Sequence, residues 1–133
     1  MSAPAPIGLF HGESALVTGS ASNIGRAIAL ALAREGAAVR CADIDAARNA
    51  ATVADIAKGG GKAEAILADL STRDGWKSVL PEGGSSISML VHSASPPRRE
   101  ADGALAVSEE TWDAMSTPTC AQASSWRASS AGA

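Results

Sequence analysis

The chain has 133 residues, 46% of them hydrophobic, with 11 basic against 14 acidic residues for a net charge of -3. That apolar fraction supports a packed core of ordinary domain size, and the charge balance gives no footprint for a nucleic-acid or anionic-membrane partner. Cys41 and Cys120 form neither a metal-ligand pattern nor a disulfide framework, and residues 1–12 lack the basic and apolar blocks of a leader, so a cytoplasmic protein without a metal is expected.

Residues 14–18 (S-A-L-V-T) are a short apolar run stopped by Gly19, the length and punctuation of a buried strand. Helical spacing begins at Ile24, with Ala27, Ile28, Ala31 and Leu32 expected on the buried face and Gly36 at the end. Residues 37–42 read as a second strand closed by Asp43, and residues 46–58 as a helix with Val53, Ile56 and Ala57 inward, broken by Gly59, Gly60 and Gly61. A third strand over residues 62–67 ends before Asp69. Thr72 or Asp74 then opens a short helix through Trp76 and Leu80, which Pro81 terminates. After a loop at 81–85 comes a fourth strand at 87–92, followed by a polar surface loop over 93–103 that carries Pro96 and Pro97. Ser108 has the chemistry of an N-cap, with Glu109 and Glu110 in the first turn and Trp112 and Met115 beginning a buried face. Strands alternating with helices predict an α/β fold whose parallel strands are joined by crossovers, a doubly wound sheet.

Between the first strand and the first helix lies T-G-S-A-S-N-I-G, Thr18 to Gly25. Small residues there let a dinucleotide pyrophosphate approach bare backbone at a helix N-terminus, whose unpaired N–H groups and dipole favour an anion. Gly19 allows the turn and Gly25 the close approach. Asp43, 18 positions beyond Gly25, stands where a carboxylate accepts from the adenosine ribose hydroxyls and repels a 2′-phosphate. A glycine-rich turn alone is more often a plain turn former. The strand before it, the helix after it and the acidic end of the next strand make the combination specific.

On these residues the sequence resembles the short-chain dehydrogenase/reductase family. Its members carry T-G-x-x-x-G-x-G, an acidic residue after the second strand, an Asp after the third and N-N-A-G after the fourth. Thr18, Gly19 and Gly25 match the first motif, and Asn23 replaces its middle glycine as the best non-glycine residue for a left-handed position. The resemblance implies a Rossmann-type sheet, truncated here after about four strands. It also implies a pyrophosphate on Gly19, Ser20, Asn23, Ile24 and Gly25, the ribose on Asp43, Asp69 and Leu70 bordering the adenine, and NAD preferred over NADP. His92-Ser93-Ala94-Ser95 falls at N-N-A-G and retains only Ala94, a further cofactor-side residue. His92 reads as a hydrogen-bonded structural histidine, because no nucleophile or carboxylate is tied to it in sequence.

In the family a Tyr acts as general acid/base during hydride transfer between nicotinamide and an alcohol or carbonyl, with a Lys four positions later lowering its pKa. This chain has no Tyr. No catalytic residue therefore carries over, and oxidoreductase activity, its substrate and homo-oligomeric assembly are expected of a full-length form of about 250 residues. Residues 1–115 are read as a partial NAD(P)-binding domain and 116–133 as a non-family tail, expected to be disordered, with Pro118 interrupting the helix that Trp112 begins. Codon degeneracy over residues 119–127 permits an apolar continuation in a shifted frame, so a frameshift or a sequencing error is the expected source of the tail, with a natural polar tail as the alternative. Three readings follow: the cofactor half of an oxidoreductase, a non-catalytic dinucleotide-binding regulatory module, and a non-functional truncated product whose uncovered apolar edge strand favours aggregation.

Overall fold

In the computed structural model the described residues are 7–82, 86–95, 107–113 and 116. The expectations for residues 83–85, for 96–103, for Met115 and for the tail from 117 onward lie outside them. The elements follow the expected order: β1 (Ser14–Thr18), α1 (Asn23–Arg34), β2 (Ala38–Asp43), α2 (Ala46–Lys58), β3 (Lys62–Leu67), α3 (Arg73–Ser78) and β4 (Met89–His92).

All strand pairs are parallel, and the sheet order is β3-β2-β1-β4. The chain thus steps from β1 outward to β2 and β3, then crosses back to the far side of β1. The strands finish on one edge, where Thr18 pairs with Ala42 and His92, and Asp43 with Leu67. A crevice at the carboxyl edge, where the direction of winding reverses, is the binding position of doubly wound sheets.

Alternation along the strands sorts the side chains. Val17, Val39 and Cys41 enter one core with Ala29, Ala33 and Ile56 of α1 and α2, and Met89 and Val91 of β4 pack against it. Arg40 lies on the opposite face, where it pairs with Glu64 and its Nε donates to the Val79 carbonyl just past α3. Burial pushes the Cys41 thiol up to about 11, which leaves it an inert core group.

Three boundaries shift for local reasons. Gly36, at φ +91, reverses the chain, and the Ala37 N–H bonds back to Leu32 O, so Ala37 closes α1 instead of starting β2. Thr72 caps α3, its hydroxyl accepting from Gly75 N at 3.0 Å, and the helix stops at Ser78, short of Leu80. Ser88 ties its own N–H and hydroxyl to Ser14, which delays β4 to Met89.

The buried faces of both long helices also differ from expectation. In α1 the inward residues are Gly25, Ala29 and Ala33, while Ile24 is 70% exposed and Ala27 and Ala31 are exposed. Residues 27–33 of α1 are all apolar, so its period is ambiguous there, and small side chains let the helix lie close on the sheet. In α2 the buried residues are Asn49, Thr52 and Ile56, with Val53 partly buried and Ala57 exposed. A separate unit begins at Ser95. Its described part includes helical residues 109–113 and 116, with the Ser108 hydroxyl accepting from Thr111 N at 3.1 Å at the start. Trp112 is 63% exposed there, not on a buried face as expected.

Candidate functional site

The loop from β1 to α1 is built by backbone geometry. Gly19 takes φ +72, and a Cβ on it would lie 2.7 Å from Ala94 N and from the Ser93 carbonyl carbon. A Cβ on Gly25 would stand 2.0 Å from the Gly19 carbonyl oxygen. No larger residue fits either position, so the first turn of α1 is drawn tightly against the end of β1. Asn23 opens the helix at φ +50, the one positive φ on a non-glycine residue among those described, as its substitution for glycine predicts.

The N-terminus of α1 is electrostatically open. Ser22 makes no side-chain capping bond and the first turn holds no acidic residue. A helix start with no side-chain cap and no acidic residue in its first turn is suited to an anion. Ile24, largely exposed, stands beside it.

Asp43 ends β2 and is half-buried. Its two carboxylate oxygens accept from Ala21 N at 3.0 Å and from Asp45 N at 2.9 Å, so it ties the β1–α1 loop to the start of α2. An ionised carboxylate retains acceptor capacity after two such bonds, which suits it to hydroxyl donors. The hydroxyl of Ser20 turns inward and donates to Asn49 Oδ1 at 2.8 Å, with the Ala42 carbonyl at 3.3 Å as a longer second acceptor.

Asp69 is exposed beyond β3, where its Oδ1 accepts from the hydroxyl of Ser71 at 2.6 Å and from Ser71 N at 3.0 Å. The Ser71 hydroxyl, then the Ser71 N–H, hold its carboxyl below the usual carboxylate range. Leu70 follows it, partly buried. At the end of β4, His92 Nδ1 bonds Thr18 Oγ1 at 2.8 Å, and Ala94 N donates to the same oxygen at 3.4 Å. The other ring nitrogen, Nε2, is buried without a hydrogen-bond partner among the described residues. Burial pushes the His92 imidazole below its usual value. Its side chain is hydrogen-bonded at the strand end, as the structural reading expects.

The expected cofactor-side residues thus lie at the carboxyl edge of the sheet: Gly19 and Ser20 after β1, Asn23, Ile24 and Gly25 in the first turn of α1, Asp43 at the end of β2, Asp69 and Leu70 after β3, and Ala94 after β4. Asn49 and Thr52, which support that edge from α2, are missing from the sequence reading. Residues 49, 52 and 56 recur at helical spacing, but the polar types at 49 and 52 give no sign in the sequence that they turn inward.

Residues 13–118 match the sequence profile of the short chain dehydrogenase family. The chain belongs to that family. It is 39% identical to the mouse (Mus musculus) (3R)-3-hydroxyacyl-CoA dehydrogenase over 74% of this chain and 42% of that protein. Among solved structures, the Pseudomonas aeruginosa RhlG/NADP active-site complex is similar at 34% identity and a TM-score of 0.60, covering 68% of this chain and 37% of that one. A 7α-hydroxysteroid dehydrogenase complexed with NADH and 7-oxo glycochenodeoxycholic acid is similar at 31% identity and a TM-score of 0.52, covering 53% and 28%. The chain spans less than half the length of the curated relatives it matches. It is an N-terminal portion of a short-chain dehydrogenase domain, from an oxidoreductase family that uses NAD(P), with a Rossmann-like parallel sheet. Among the described residues no helix is long and apolar enough to cross a membrane.

Proposed function

We propose that these residues form the cofactor-binding half of an NAD-preferring oxidoreductase acting on an alcohol or carbonyl. The observation that carries this reading is the contrast at the helix starts: α1 begins without a cap or an acidic residue, while α2 and α3 are capped by Asp45 and Thr72. The pyrophosphate takes the backbone of Gly19, Ser20, Asn23, Ile24 and Gly25. The ribose hydroxyls donate to Asp43, the adenine lies on the side of Asp69 and Leu70, and Ala94 closes the loop across β4. Residues up to 115 make up this binding unit, and the polar tail takes no part in it. Bound there, the dinucleotide supplies the hydride chemistry.

Two features support the choice between the two cofactor forms. Asp43 is fixed by Ala21 N and Asp45 N and cannot swing aside without releasing both. A negative 2′-phosphate about 4 Å from a carboxylate is disfavoured by several kcal/mol in a surface environment, so at least a tenfold preference for NADH over NADPH is expected. For catalysis, the chain holds no Tyr to serve as the family's acid/base. Cofactor binding without turnover is the activity assigned to these 133 residues. Titration of the purified chain with NADH and NADPH, followed by cofactor fluorescence, tests the reading. Saturation by NADH with NADPH at least tenfold weaker supports it, no saturation up to millimolar NADH overturns the site, and reduction of a ketone by this chain overturns the separation of binding from chemistry.

A further inference from the structure

We propose that Asn49, with Thr52 one turn later, is a positioning residue that holds the glycine-rich turn in its pyrophosphate-binding shape from behind. The proposal rests on the cofactor reading above and adds to it residues that never touch the cofactor.

Asn49 is 1% exposed and Thr52 0%, although both are polar and both sit on the inward stripe of an amphipathic helix. Helix-on-sheet packing alone is met by Ala or Val at such positions. Here each polar atom is used. Asn49 Oδ1 accepts from the Ser20 hydroxyl at 2.8 Å, and its Nδ2 donates to Cys41 O at 2.8 Å and, less closely, to Ile66 O at 3.4 Å. Thr52 Oγ1 donates to Ser20 O at 3.0 Å, with Arg48 O at 3.2 Å as the alternative acceptor within the helix. Two side chains of α2 therefore grip one residue of the turn, by its hydroxyl and by its carbonyl. The Asn49 amide is in turn braced on the backbones of β2 and β3.

The neighbours of Ser20 are tied to the same side. Gly19 N donates to Ala42 O at 2.9 Å and Ala21 N to Asp43 Oδ2 at 3.0 Å. Three consecutive turn residues are thus anchored on β2 and α2, while Ser22 makes no side-chain capping bond at the start of α1. Anchoring one flank of a loop in a dry, fully bonded network while leaving the other flank's donors open is how an anion site is pre-organised. A buried polar pair specifies one arrangement, because shifting the turn would leave its members unpaired.

The test uses the full chain and the variants Asn49→Ala, Ser20→Ala, their double variant, Thr52→Val and Thr52→Ser, with NADH titration and its displacement by ADP or by adenosine. Asn49→Ala and Ser20→Ala are each expected to weaken NADH and ADP about tenfold while changing adenosine less than twofold, and the double variant should be no weaker than either single one. Thr52→Val should weaken ADP severalfold and Thr52→Ser should restore it. Equal losses for ADP and adenosine, or a lower melting temperature with unchanged affinities, would overturn the positioning role. Amide hydrogen exchange of residues 20–25 tests the same contact without any ligand. If the wild-type chain fails to bind NADH, the cofactor reading falls, yet exchange at 20–25 must still accelerate at least tenfold in Asn49→Ala, or in Thr52→Val with recovery in Thr52→Ser should Asn49→Ala not fold. Unchanged exchange overturns the inference.

Discussion

Helices α1 and α2 both start just beyond the carboxyl edge of the same sheet, and they treat their first turns in opposite ways. At α2, Asp45 accepts from Arg48 N at 3.0 Å, and its own N–H donates to Asp43, so the helix start is capped by a carboxylate and needs nothing from outside. At α1, Ser22 caps nothing and the first turn carries no negative charge. The loop leading into α1 is nonetheless the better anchored of the two, through Gly19, Ser20 and Ala21. Rigidity and saturation are therefore separate properties. One helix start is stable because its donors are met, and the other is held in place with its donors left open.

Breaking the anchored geometry has the largest effect. Gly25→Ala sets a methyl 2.0 Å from the Gly19 carbonyl oxygen, backbone against backbone, where no side chain can yield. A loss of about 3 kcal/mol is expected, lowering the melting temperature by roughly 10–20 °C and abolishing NADH binding. A variant that melts with the wild type and binds NADH normally would show that the turn is not tightly packed. Exchanging the character of the two helix starts comes next. Ser22→Asp gives α1 the charge that α2 already has. The free chain should gain about 0.5 kcal/mol while NADH weakens roughly tenfold, because the new carboxylate competes with the anion for the same dipole. The reciprocal change, Asp45→Ala, should lower stability by about 1 kcal/mol and leave NADH affinity within twofold. If both substitutions shift affinity equally, the two helix starts are not functionally distinct.

The local parts of this site were legible in the sequence. Gly19, Asn23 and Gly25 announce the turn because each satisfies a backbone demand of its own position, and Asp43 follows from the end of a strand. What contacts them was not legible. Asn49 meets Ser20 across 29 positions and Thr52 meets it across 32, and nothing near either residue shows that a polar side chain on α2 will face inward to a partner. Hydrophobic periodicity misreads both helices for related reasons. In α1 residues 27–33 are all apolar, so their pattern does not choose a face, and the small Gly25, Ala29 and Ala33 turn to the sheet. In α2 two polar residues join Ile56 and the partly buried Val53 on the inward face, while Ala57 is exposed, because hydrogen bonds formed only in the folded chain offset the burial of Asn49 and Thr52.

The smallest expected effect concerns the other flank of the turn, where Thr18 is held by His92 instead of by α2. The imidazole is kept below its ordinary value of 6.5 by burial, so the unfolded chain takes up the proton more readily than the folded one. Stability is then full above the unfolded histidine range and falls as the pH drops through 6.5, levelling only once the folded imidazole is itself protonated. Equilibrium unfolding followed from pH 8 to pH 5 for the wild type and for His92→Asn checks this. The variant cannot titrate in that range, so the wild type's stability should fall relative to the variant's as the pH drops from 8 to 5. A constant difference would assign the acid sensitivity of the sheet edge to another group.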